Sequence, residues 1–155
     1  MAIALMDDLD ALADWVAPLL AKVEPKQRRA LARKVARDLR RSQRERIKAQ
    51  QNPDGTAYAP RKPQHRAKQG AIRRKAMFSK IRTAKYLKAK GSLESAEVGF
   101  VGRVAHIARI HQEGLRAKVD KDGPHYDYPE RRLIGFSASD RELIQDALLK
   151  HLTEL

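Results

Sequence analysis

The sequence predicts an α+β fold: an N-terminal helical hairpin that includes one long basic helix, a small antiparallel β-sheet or hairpin, a short central helix and a C-terminal helix. Three observations carry this. Apolar residues recur at spacings of three and four before residue 50. Between 84 and 101 that spacing gives way to two short extended runs about a Gly-Ser pair, and it returns at the end of the chain.

The first helix follows from Leu5, Leu9, Leu12, Val16, Leu19 and Val23, one apolar stripe with Trp15 beside it. Pro18 has no N–H to give, so a kink or restart is expected near Ala17. Glu24-Pro25 punctuates the chain, and Pro25 suits the first turn of a second helix running to about Gln50. There Leu31, Val35, Leu39 and Ile47 form a narrow seam, widened by Ala32 and Ala36. Most other positions are Arg, Lys or Gln, so a long cationic face is left over.

Asn52-Pro53-Asp54-Gly55 is a turn: Asn suits its first position, Pro presets the second, and Gly closes the fourth. Residues 56–63 hold two prolines and read as extended, with Tyr58 an anchoring aromatic. Residues 64–83 read either as a helix broken near Gly70 or as a basic loop, and the shortage of apolar groups over 61–75 predicts mobility. The runs at 84–89 and 96–101 form the hairpin, which Gly102 ends. Val104, Ile107, Ala108 and His111 share one face of a short helix with Gly114 as its C-cap. An extended piece at 125–129 follows the Gly123-Pro124 turn. Ser139 and Glu142 offer a capping box for a last helix lined by Leu143, Ile144, Ala147, Leu148, His151 and Leu152.

A chain of 155 residues suits a single domain, 1–155, divided into a helical part to residue 50, a basic loop region over 51–83 and an α+β part over 84–155. Aromatics make up only 5%, so the core is thin and oligomerisation would extend it. The absence of cysteine excludes a disulfide framework and thiolate chemistry. Asp7, Asp8 and Asp10 follow the apolar start at once, which argues against a signal peptide. No run approaches the ~20 apolar residues that cross a bilayer.

Charge is distributed unevenly. Residues 22–90 hold 24 Lys and Arg against four acids, a net of +20; the remainder carries 9 against 15, a net of −6. Between Lys22 and Lys48, 12 basic residues oppose three acids, more than i,i+4 pairing can neutralise. Arg33, Arg37, Arg40, Arg41, Arg44 and Lys48 on the helix are therefore candidates to meet a polyanion or an acidic protein. Arg61, Lys62, Arg73, Arg74 and Lys75 after it are candidates of the same kind.

No catalytic constellation accompanies them. His106 and His111 are five residues apart and cannot share a metal on one helix face, while His65, His125 and His151 stand alone. His111-Gln112-Glu113 has the H-x-E spacing of zinc deaminases but lacks their cysteines, so His111 reads as a packing residue. There is no phosphate loop, no nucleophile elbow and no convincing carboxylate pair. No catalytic, metal or cofactor site is assigned, and an enzyme is not expected. Tyr58, Phe78 and Tyr86 are too few for a stacking groove, so any DNA contact would be to phosphates and blind to sequence.

Several blocks appear together and in order: residues 9–15, Arg46-Ile47 leading into Asn52, Pro53, Asp54, Gly55 and Tyr58, then His111 to Gly114 in 108–114, then 128–131 and 133–136. In this the chain resembles the phage virion morphogenesis family. Glu130 departs from the pattern, where a small residue is expected. The resemblance implies a structural protein that completes or caps a tail at the head–tail junction. It further implies likeness to ring-forming neck and tail-terminator proteins, a hexameric homo-oligomer, and partners among tail-tube or terminator and head–neck connector proteins. It places the protein in the virion and, during assembly, in the host cytoplasm. The competing reading from the residues alone is a small, sequence-nonspecific nucleic-acid-binding protein that uses the basic helix and loop. A host-directed partner protein is a weaker third reading.

Overall fold

The computed structural model describes residues 2–62 and 76–154. Four helices and two antiparallel sheets of two strands each give an α+β fold. In order these are α1 (Ala2–Leu20), α2 (Pro25–Lys48), β1 (Leu87–Gly91), β2 (Ala96–Phe100), α3 (Arg103–Glu113), β3 (Arg116–Lys118), β4 (His125–Asp127) and α4 (Ala138–Thr153). β1 pairs with β2, and β3 pairs with β4 in the register Arg116 to Asp127, Ala117 to Tyr126 and Lys118 to His125.

The chain forms two compact units. The first contains residues up to Leu39, then Ala89–Val98, then Ala138 onward. Its core is the α2 row Leu31, Val35 and Leu39, packed by Leu143, Ile144, Ala147 and Leu148 of α4, Leu20 of α1 and Val98 of β2. A spacing of four keeps that row on one helix face. Gly91 lies against the α2 backbone at Ala32 and Arg33, so closely that a Cβ there would collide with it. α1 does not restart at Pro18; it continues through it and stops at Leu20. Pro18 has no N–H to give the carbonyl of Asp14, and the helix ends two residues further on.

The second unit contains Arg40–Lys88 and Gly99–Ser137. Ile47, Tyr58, Ala108 and Leu133 are buried together, with Met77, Phe78, Ile81, Phe100 and Ile134 packed around them. α2 ends here in a Schellman motif. Gln50 takes a left-handed φ of 59°, its N–H bonds Ile47 O, and Gln51 N–H bonds Arg46 O. α3 ends as expected at Gly114, with φ 62° and ψ 52°.

Several local expectations are revised. Residues 77–86 form consecutive turns, so β1 begins only at Leu87. Ile107 is 47% exposed and does not share the burial of Val104 and Ala108. β3 is an additional strand, three residues long and polar at both ends, too short to show a period. α4 begins at Ala138, which places Ser139 inside the first turn and not at the cap. The expectations for 63–75, mobility included, lie outside the described residues.

Candidate partner-binding surfaces

The second unit is fastened by polar side chains that reach across the chain. Arg46 leaves α2 to donate to the carbonyls of Arg132 at 3.0 Å, Leu133 at 3.1 Å and Gln51 at 3.2 Å, and also to Gln43 Oε1. Gln43, itself buried, accepts from Gly135 N–H. Gln112 on α3 accepts from Leu133 N and Ile134 N at 2.8 and 2.9 Å and donates to Ile134 O at 2.8 Å. These bonds fix residues 132–135 as a backbone strap.

The Asn52 turn is tied to the same strap. Gly55 N–H bonds Asn52 O at 2.9 Å, and Gly55 has φ 87°, a conformation that favours glycine. Asp54 accepts from Thr56 N and Oγ1, and those bonds hold its carboxyl below the usual range. Asn52 Oδ1 accepts from Arg132 N. Pro53 is buried against Gly135, where a Cβ would come within 2.6 Å of the Pro53 ring. Tyr58 is buried, as its anchoring role requires. Its hydroxyl donates to Arg132 O at 3.3 Å, and burial pushes its pKa up to about 12.

His111 is a packing residue with an electrostatic partner. Its ring lies edge-on between Phe78, at 4.8 Å, and Tyr128, at 5.0 Å. Tyr58 continues this row from Phe78 and Tyr126 continues it from Tyr128. Arg131, 4% exposed, donates to Ala59 O at 2.7 Å and Pro60 O at 2.8 Å, and its Nη1 lies 3.3 Å from His111 Nδ1. Burial first, and the Arg131 charge second, lower the His111 pKa to about 4. Burial likewise lowers that of Arg131.

In front of these rings opens a cavity of about 530 Å³. Phe78, Ile81, Tyr126 and Tyr128 contribute its apolar wall, and Arg61, Lys62 and Lys80 stand on it. The Lys62 ammonium lies 4.9 Å from the centre of the Tyr126 ring.

The structure thus brings Arg61, Lys62 and His111 together at one cavity. Asn52, Pro53, Asp54, Gly55 and Tyr58 form the turn and its anchor, and Gly114 caps α3. On α2, Arg33 and Arg37 are exposed in the first unit. In the second unit Arg41, Arg44 and Lys48 are exposed and Arg40 is half-buried. Arg73, Arg74 and Lys75 lie outside the described residues. The residues that the sequence did not single out are Gln43, Arg46, Gln50, Gln112 and Arg131. For Gln43 there is a signal: it lies four residues from both Leu39 and Ile47, a polar side chain on an apolar row.

The profile of the phage virion morphogenesis family matches residues 7–153 of this chain. Over 149 residues it is 40% identical to tail completion protein S of Escherichia phage P2, an alignment covering 95% of this chain and 99% of that protein. No solved structure matches the chain. A match of this length and identity, running through every element from α1 to α4, means that the chain belongs to the phage virion morphogenesis family.

Proposed function

We propose that this protein is a non-enzymatic structural component of a phage virion that completes or caps the tail at the head–tail junction and works as a ring oligomer. One observation carries the reading: 40% identity, over nearly the whole of both chains, to a protein named for tail completion. Its partners are tail-tube or tail-terminator proteins on one side and head–neck connector proteins on the other. The site lies in the virion, reached from the host cytoplasm during assembly. Exposed cations on α2 and around the second unit's cavity supply charge for acidic partner surfaces. Exposed Trp15, Val119 and Phe136 supply apolar area that association would cover.

The test is electron microscopy of particles assembled without the protein, and again after adding it back. Unjoined heads and tails that join on addition support the reading. Complete particles in its absence overturn it.

A second reading, sequence-blind nucleic-acid binding, rests on the exposed Arg41, Arg44 and Lys48 of α2 and on the exposed Arg61 and Lys62. Binding of that kind falls by about three to five orders of magnitude between 50 and 200 mM salt if six to ten phosphates are engaged. It would be lost in R40E/R41E/R44E. Binding unchanged by those substitutions, or unaffected by salt, removes this reading.

A further inference from the structure

We propose that the cavity of the second unit receives helix α1 of a second copy of this chain, with the Trp15 indole entering among the rings and Asp10 and Asp14 facing Arg61, Lys62 and Lys80. The inference rests on the ring reading above and names the contact that would build the ring.

The cavity has one sign of charge. Arg61, Lys62 and Lys80 are all exposed at it, and none of the described residues lining it is acidic. Its apolar side is also open to water: Ile107 is 47% exposed, and Val119, which lines it too, is 58% exposed. An occupant must therefore be anionic and carry a large apolar group. The basic middle of this chain, net +20 over 22–90, is repelled from such a place.

One segment of the chain has the complementary character. Residues 1–21 contain Asp7, Asp8, Asp10 and Asp14 and no Lys or Arg, the longest stretch of the sequence without a cation. α1 turns Val16 inward, 5% exposed, and leaves Trp15 55% exposed, with Asp10 and Asp14 exposed as well. At about 100° per residue, Asp10 and Asp14 fall roughly 40° apart on the helix. Trp15 lies about 100° from Asp14 and about 140° from Asp10, so the indole enters the cavity from one side of the helix while the carboxylates meet cations at its rim. A cavity of about 530 Å³ has ample room for an indole. A tryptophan desolvated among aromatic rings, with carboxylates paired at the rim, is the composition of an interface hot spot.

The two patches lie on different parts of the chain, and the ring reading takes their contact as heterologous rather than as a reciprocal exchange within a pair. Each copy offers its helix to one neighbour and its cavity to the other. A contact of that kind repeats head to tail and closes into a ring when its rotation permits.

The test uses the full-length chain in two charge-reversed forms, D10K/D14K and R61E/K62E, with light scattering to read mass and circular dichroism to read folding. Each variant alone places like charges across the contact and should remain monomeric. Mixed one to one, native and reversed junctions alternate, and assembly should return. Trp15 is the only tryptophan of the chain, so its emission should shift to the blue as wild type assembles. W15A should lower the assembled fraction. Assembly of both variants alone, or no recovery on mixing, overturns the proposal. Assembly that survives R61E/K62E while nucleic acid or tail-tube binding is lost gives the cavity to that other partner, and so overturns it also. A wild type that stays monomeric, with and without tail tubes, removes the ring reading and this contact with it. Wild-type rings that the substitutions leave untouched remove only the contact.

Discussion

Arg131 holds His111 as a neutral ring. The guanidinium cannot accept a hydrogen bond, so His111 Nδ1, 3.3 Å from Arg131 Nη1, must be the acceptor and the ring proton must sit on Nε2. A second proton would put two donors face to face in a half-buried site. Burial, the larger cause, and the Arg131 charge, the smaller, together lower the folded pKa to about 4 from the ordinary 6.5.

The sign of the pH dependence follows. Between those two values the unfolded chain binds more protons at this residue than the folded one, so stability decreases as pH falls through that window. Above about 6.5 the contribution is complete. Thermal unfolding of wild type should show a Tm that declines from pH 7 toward pH 4. H111F keeps an edge-on ring but cannot take a proton. Its Tm should lie below wild type at pH 7.5, and the gap should narrow by pH 4.5. A constant gap would mean that another group sets the acid limb.

Arg131 should matter more than the histidine it faces. Its side chain donates to two consecutive carbonyls, Ala59 and Pro60, and so fastens the segment just after Tyr58. R131M keeps the apolar stem and strands both acceptors, at a cost of about 3 kcal/mol, given roughly 1.5–3 for a hydrogen bond to a charged group. R131K retains the charge but not the planar fork, and should fall between the two. Urea unfolding measures both. In R131M the His111 pKa, followed by NMR, should also rise from about 4, because one of its two causes is gone.

What the sequence could convey, and what it could not, divides along a physical line. The row Leu31, Val35, Leu39 and the α4 set Leu143, Ile144, Ala147 and Leu148 were legible because burial of a helix face imposes a period that neighbouring residues share. The Asn52 turn and the Gly114 cap were legible because backbone conformation restricts residue type locally. Arg46, Gln112 and Arg131 were not. Their partners lie 86, 22 and 72 residues away, and in a sequence each is one more polar side chain. Arg46 lies between Arg44 and Lys48, both read as partner-facing, but was not itself so read, and its guanidinium is turned to backbone carbonyls of its own chain. The cavity was half legible. Arg61 and Lys62 were singled out by charge, whereas the aromatic wall behind them needed chain folding to assemble it.

Gln112 acts as a short piece of strand made from one side chain. It satisfies Leu133 N, Ile134 N and Ile134 O, the pairing that a neighbouring strand would supply. Leu133 is fully buried, so its amide cannot turn to water instead. Q112L, similar in size and without hydrogen bonds, should cost about 2–3 kcal/mol in urea unfolding, since an unsatisfied buried group costs roughly 1–3. Q112E retains both acceptor bonds but sets a carboxylate oxygen where the donor to Ile134 O stood. It should be unstable at neutral pH and recover on acidification, when the protonated acid can donate again. A Q112E protein that loses stability steadily toward pH 4.5 would show that this amide bond is not the one that matters.

Gln50 carries two opposing contributions that substitution can separate. Its backbone is left-handed at φ 59°, which costs a residue with a Cβ roughly 1–2 kcal/mol. Its side chain offsets this: Nε2 donates to Ile47 O at 2.7 Å and Met77 O at 2.9 Å, while Oε1 accepts from Met77 N at 2.8 Å. Those bonds hold the chain beside Phe78, which itself has φ 66°, a strained value for an aromatic residue. Q50A loses the side-chain bonds and keeps the strain, so a loss of about 2–3 kcal/mol is expected from three bonds near 1 each. Q50G loses the same bonds and relieves the strain, and should be more stable than Q50A by about 1 kcal/mol. Because Phe78 is edge-on to both Tyr58 and His111, both variants should also loosen the ring row, raising the His111 pKa from about 4 as water reaches it. Equal stability of Q50A and Q50G would mean that the left-handed turn carries no strain here. An unchanged histidine titration would mean that Met77 stays in place without the amide.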